Sequence, residues 1–252
     1  MPRVIRSATA LCGTVTLLGA LTACASTPLS DAEATARWQV PTAQSPSPTP
    51  TADPAPLMLV FGDSWTYGLA ATDAAHAYPH LTGEALGWDV DAIGENGSGY
   101  LHPGQNGGFY GTRVAELDPD LEPDVIVVQG SINDRGESIS ALPRAAKAVW
   151  QAFERTYPEA DLVILGPAPS VLPLEESVEK IDETLAQLAA DEGLDYISPV
   201  AEGWLTDANI GDYIDASAAN HPSDAGHAYL AERLAADLSR LDLLSPFVTT
   251  EE

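Results

Sequence analysis

The sequence predicts an α/β protein: a three-layer α/β/α sandwich around a five-stranded parallel sheet. Three observations lead there. Short runs rich in Val, Ile and Leu, without polar alternation, read as strands buried on both faces. Longer segments of helical pattern separate them, so β and α alternate along the chain. The pattern occupies about 190 residues, the size of one domain with a proper core.

Taken in order, Leu57–Phe61 is an apolar run that closes on Gly62-Asp63-Ser64, and Trp88–Ile93 is followed by Asn96-Gly97-Ser98-Gly99. Val125–Gln129 closes on Gly130-Ser131-Ile132-Asn133-Asp134, and Leu162–Leu165 and Leu194–Ile197 complete the strands. Helices are expected over Tyr78–Leu86, Ile139–Tyr157, Leu174–Glu192 and Ser223–Leu241. No internal repeat is visible. In open parallel sheets ligands sit beyond the carboxyl ends of the strands, so the first three polar turns are expected to converge on one edge.

The ends read differently. Residues 1–23 have the makings of a signal peptide: Arg3 and Arg6 precede a small, mostly apolar, uncharged stretch from Ser7 to Ala23. Leu21-Thr22-Ala23-Cys24 resembles a bacterial lipobox, which implies lipid on Cys24 and an extracytoplasmic protein held at a membrane. Cys12 would be discarded with the leader, leaving no thiol for disulfides or thiolate metal sites. Residues 24–56 form a linker whose seven prolines lie among many Thr, Ser and Ala, a composition that favours extended, solvated backbone. Residues 57–245 are the domain and 246–252 a tail.

The 252 residues carry 11 Lys and Arg against 37 Asp and Glu, a formal net charge of −26. Loss of Arg3 and Arg6 with the leader makes it −28. Such a surface repels nucleic acid. The D-x-D-x-D-G calcium pattern and the H-E-x-x-H zinc pattern are both absent, so neither a metal nor a cofactor is expected. The expected state is monomeric.

A serine hydroxyl needs a base within hydrogen-bond reach, and an oxyanion needs preorganised donors. Ser64 on its turn, the glycine turn at 97–99, the Asn133 amide and His221-Pro222 supply those parts. A G-x-S-x-G elbow is absent.

On these four blocks, the last running His221-Pro222-Ser223-Asp224-Ala225-Gly226-His227, the chain resembles an SGNH hydrolase of the GDSL esterase family. The resemblance spans essentially the whole domain, in order, and implies a flavodoxin-like sheet and ester hydrolysis through an acyl-enzyme. By motif position, Ser64 is the nucleophile and His221 the base. The oxyanion hole is the Ser64 and Gly99 backbone N–H groups with the Asn133 amide, Gly97 being the second choice of glycine.

One position departs from the family pattern. Where the family places an aspartate, three residues before the histidine, this chain has Ala218. Asp215 could reach in as the third catalytic member, a backbone carbonyl could hold the imidazole in a Ser–His dyad, or the site could be weakened. The reading leans to the dyad and carries Asp215 as candidate third member.

Asp63 is read as a hydrogen-bonding turn residue, Asp134 as a brace of its loop and His227 as structural. His102 is a candidate pocket residue, and His76 and His80 are surface or packing residues. Trp65 and Tyr67 belong either to a subsite or to the core. The expected substrate is a small-molecule or polysaccharide acyl ester, such as an O-acetyl group. A non-catalytic carbohydrate-binding lipoprotein, an O-acyltransferase and a solute-binding lipoprotein are the alternatives.

Overall fold

The computed structural model describes residues 54–130 and 132–244. The leader, Cys24, nearly all of the linker, Ser131 and the tail lie outside the described residues.

Five strands form one parallel sheet: β1 (Leu57–Gly62), β2 (Asp89–Gly94), β3 (Val125–Gln129), β4 (Asp161–Leu165) and β5 (Asp195–Ile197). Their order is β2-β1-β3-β4-β5, so the chain moves one way from β1 to β2 and then turns back past β1 to β3. Every pairing is parallel. The sheet is the flavodoxin-like one, and its switch point falls between β1 and β3.

The unbroken apolar runs serve two cores. Leu59, Phe61, Ile126, Val128 and Ile164 face one side, against Trp150, Phe153, Ile181 and Leu185. Met58, Val60, Val125, Val127, Val163 and Leu165 face the other, against Tyr78, Trp204, Leu230 and Leu234. The side-chain period of two is therefore present but hidden, because both faces are dry. Each such side chain contributes roughly 1.5–3 kcal/mol on burial.

The helices are α1 (Ser64–Tyr67), α2 (Tyr78–Leu86), α3 (Tyr110–Val114), α4 (Leu142–Thr156), α5 (Glu176–Glu192), α6 (Ile210–Tyr213) and α7 (Asp224–Leu238). In α4 the buried residues Leu142, Ala146, Val149, Trp150 and Phe153 fall on one stripe, which covers the sheet. Ser223 caps α7, its hydroxyl accepting the Gly226 N–H at 3.2 Å.

The long elements lie where the sequence places them, with no end moved by more than three residues and β3 and α2 matching at both ends. The first turn of the expected helix at Ile139 is a separate 3-10 turn, Ile139–Ala141. Three short helices (α1, α3, α6) and a two-stranded ribbon, β6 (Ile214–Asp215) with β7 (His221–Pro222), were not expected. Segments of two to five residues show no period to read.

Candidate active site

Ser64 opens α1 directly beyond β1. A side chain at Gly62 would collide with Thr66 Oγ1 and come within 2.5 Å of Gln129 Oε1, so the strand ends on a residue without one. Asp63, fully buried, caps α1 by accepting the Trp65 N–H at 2.9 Å. That leaves the Ser64 N–H with no acceptor among the described residues.

His221 arrives from the ribbon 157 residues later, with Nε2 2.8 Å from Ser64 Oγ. Its Nδ1 lies 2.9 Å from the Ala218 carbonyl oxygen. A carbonyl only accepts, so Nδ1 carries the proton and Nε2 is the bare nitrogen facing the serine hydroxyl.

Asp215 does not reach the imidazole. Its Oδ1 accepts the Ser217 N–H at 2.8 Å and the Ser217 hydroxyl at 2.6 Å, capping the 3-10 turn Ala216–Ala218. The Ser217 hydroxyl, foremost, holds this carboxyl below its usual range. Ribbon pairing sets Asp215 opposite His221, with Asn220 N donating to Asp215 O at 3.1 Å. Ala219 and Asn220 take left-handed φ values of 56° and 58°, folding the chain so that Ala218 presents its carbonyl. The candidate third member is thus replaced by a main-chain oxygen, because the carboxylate is engaged in building the turn that supplies it.

Asn133 follows β3 and donates from Nδ2 to Ser98 O at 3.0 Å and, at a long 3.4 Å, to Asp63 Oδ2. Gly99 departs from expectation: its N–H donates to His102 O at 2.9 Å within its own loop. The Gly97 N–H, the second choice, has no acceptor among the described residues. Asp134 explains the loop's shape. Its carboxylate accepts the backbone N–H groups of Tyr100, Leu101 and His102 at 3.0, 2.9 and 2.8 Å. It braces the glycine loop across the site and packs so closely on Gly99 that a Cβ there would meet Oδ1 at 2.5 Å.

Sequence reasoning missed Arg113. This guanidinium lies over the Phe61 ring, donating to Gly62 O and Ile93 O at 2.8 Å and to Ser98 Oγ at 2.7 Å. Its Nε is 3.4 Å from Glu95 Oε2, and the two side chains are only 8% and 11% exposed. One residue thereby ties the ends of β1 and β2 to the glycine turn. The available signal was an arginine among aromatic and apolar residues in a chain with few cations.

The remaining candidates find plain roles. Asp63 is pushed up to about 7 by burial, against the opposing pull of the Trp65 N–H, Gln129 and Arg113. His227 is buried, accepting from Tyr78 N at 3.2 Å and facing Leu69 O at 3.3 Å. His102 contacts Gly97 O at 2.8 Å and is not among the cleft's lining residues. His76 pairs with Asp73 on the surface, His80 lines a separate groove, Tyr67 is exposed, and Trp65 belongs to both core and cleft.

A cleft of about 290 Å³ opens over Ser64 and His221. It is walled by Trp65, Ile132, Val171 and Ala219, and by polar Asn133, Arg135, Ser170, Glu175 and Asn220. Ser98 O, accepting from Asn133 Nδ2, links the turn at 96–99 to it.

A serine in hydrogen-bond contact with an imidazole, at the switch point of a parallel sheet, defines a hydrolase-type site. Residues 60–229 match the model of the GDSL-like Lipase/Acylhydrolase family, two thirds of the chain. The chain belongs to that family and is an ester hydrolase. It is 27% identical over 189 residues to a GDSL lipase of Mycobacterium tuberculosis, covering 71% of this chain and 79% of that one. Among solved structures it resembles a family two carbohydrate esterase from Clostridium thermocellum in complex with cellohexaose: TM-score 0.60, 20% identity, covering 75% of this chain and 65% of that one. It also resembles the M. smegmatis aryl esterase, with TM-score 0.58, 15% identity and coverage of 73% and 99%.

Proposed function

We propose that the chain hydrolyses short-chain acyl esters through an acyl-enzyme, with Ser64 as nucleophile and His221 as base. The observation that carries this is the 2.8 Å contact from Ser64 Oγ to an imidazole nitrogen whose tautomer a carbonyl fixes. As Oγ bonds the ester carbonyl carbon, Nε2 takes its proton. The intermediate then collapses, the bond to the alcohol oxygen breaks, and the proton leaves with that oxygen. Water repeats the sequence in reverse: Nε2 takes its proton, its oxygen joins the acyl carbon, and Ser64 leaves protonated.

The Ser64 N–H and the Asn133 amide are the oxyanion donors. Asn133 exchanges its 3.4 Å contact with Asp63, too long for a strong hydrogen bond, for one to the developing oxyanion. A donor of this kind contributes about 3–4 kcal/mol to the transition state. A small cleft with polar walls favours an acetyl group on a polar alcohol over a long-chain lipid. The likeness to a carbohydrate esterase supports the same preference. The lipobox-like run Leu21-Thr22-Ala23-Cys24 supports a location outside the cytoplasmic membrane, on a lipid tether.

The test is turnover of 4-nitrophenyl esters of increasing chain length, with fluorophosphonate labelling. Acetate is expected to be the best substrate, and the label to vanish in Ser64→Ala. No turnover and no Ser64-dependent label would sink the esterase reading.

A further inference from the structure

Arg135 and Glu175 meet in the cleft from two different elements. Arg135 lies on the 3-10 turn after β3 and Glu175 directly before α5. Arg135 Nε stands 3.8 Å from Glu175 Oε2, and the side chains are 47% and 48% exposed. That separation exceeds hydrogen-bond reach, and an ion pair this exposed contributes little. Neither side chain makes a hydrogen bond among the described residues, and Glu175 does not cap α5 although it stands at the cap position. A set of donors and a set of acceptors thus face each other beside the nucleophile, each without a hydrogen-bonded partner.

The chemistry of a ligand that suits the pair follows from both charges together. An anionic group would suit Arg135 and be repelled by Glu175, and a cation would meet the reverse. A hydroxyl accepts from a guanidinium and donates to a carboxylate at once, so neighbouring hydroxyls satisfy both. The cleft also adjoins a second groove of about 300 Å³, with Arg135 common to the two. Glu137, Glu176, Ser177 and Lys180 line that groove beside Ile139 and Ile181, so the path away from the nucleophile offers both polar groups and apolar faces, as a sugar ring does.

Resting on the esterase reading above, we propose that Arg135 and Glu175 are the leaving-alcohol subsite. They hold hydroxyls of a neutral polyhydroxy alcohol, and the groove beyond Arg135 carries its next unit. The substrate is then an acylated oligo- or polysaccharide rather than an ester of a simple alcohol.

Two measurements test it. In the Ser64→Ala background, titration with an O-acetylated gluco-oligosaccharide reads binding without turnover. Arg135→Ala and Glu175→Ala are each expected to weaken it by at least about ten-fold, the loss of a hydrogen bond to a charged group. In the active protein, kcat/KM for that oligosaccharide relative to 4-nitrophenyl acetate should fall by a similar factor, carried by KM. Unchanged binding and an unchanged ratio would overturn the subsite. So would Arg135→Ala losing, and Glu175→Ala gaining, affinity for an acetylated uronic acid alone, which would mark an anion site. Absence of turnover in the parent with binding intact would count against the esterase reading and leave the subsite standing.

Discussion

Replacing His221 with alanine is expected to lower kcat on a short aryl ester by about as much as replacing Ser64, on the order of 10⁶-fold. The double variant is expected to lose no more than either single one. The reason is that the two groups act as a unit. Ser64 Oγ has Nε2 at 2.8 Å as its hydrogen-bond partner among the described residues, and without that nitrogen no base takes its proton. Conversely, the imidazole has nothing to activate once the hydroxyl is gone. What survives in all three variants is the contribution of the oxyanion donors and of binding, roughly 10³–10⁴ over water. Single-turnover kinetics with 4-nitrophenyl acetate read this directly. A His221→Ala protein within ten-fold of the parent would remove His221 as the base, and additive losses would mean two independent roles.

Arg113→Met is expected to destabilise the domain by about 3–5 kcal/mol, the cost of breaking a buried ion pair from one side. For a domain of this size each kcal/mol lowers the melting temperature by roughly 2–4 °C, so the shift is about 10 °C. Three acceptors lose their donor, and Glu95, which also accepts the Asn106 N–H at 2.8 Å, keeps an unanswered charge. Turnover falls too, because Ser98 accepts from Arg113 at Oγ and from Asn133 at its carbonyl. Arg113→Lys keeps the charge but cannot reach three acceptors in one plane, so it recovers only part of the stability. Adding Glu95→Gln to Arg113→Met is expected to restore some of it by removing the orphaned carboxylate. Thermal melts of the four proteins decide this. A drop below about 1 kcal/mol in Arg113→Met, the range of exposed pairs, would mean that the clamp is ornamental.

The sheet was legible because its centre is dry on both faces. Val125–Gln129 reads as one apolar run, and β3 occupies those residues. The Ser64–His221 contact was equally legible, since each residue sits in a turn whose position the flanking elements determine. What failed to show were directions of backbone groups within loops. Nothing in Asp215-Ala216-Ser217-Ala218-Ala219-Asn220 announces two consecutive left-handed residues, neither of them glycine. Without them one cannot see that Ala218 C=O, and not a carboxylate, turns to the imidazole. Gly99 is similar: its residue type fits a donor, while the Asp134 brace turns its N–H to His102. Arg113 and Glu95 lie eighteen residues apart with no motif between them. Only the folded ends of β1 and β2 bring their partners together.

The central claim is that a main-chain carbonyl, in a turn capped by Asp215, orients His221. The most direct measurement compares kcat/KM of Asp215→Asn and Asp215→Ala with the parent across pH. Asparagine caps a turn nearly as well as aspartate, so Asp215→Asn is expected to stay within about three-fold of the parent. Asp215→Ala, which loses the cap and loosens the turn carrying Ala218, should fall further. If Asp215→Asn instead lost on the order of 10⁴, as a triad carboxylate does when replaced by its amide, the imidazole would be held by Asp215 and the dyad contradicted.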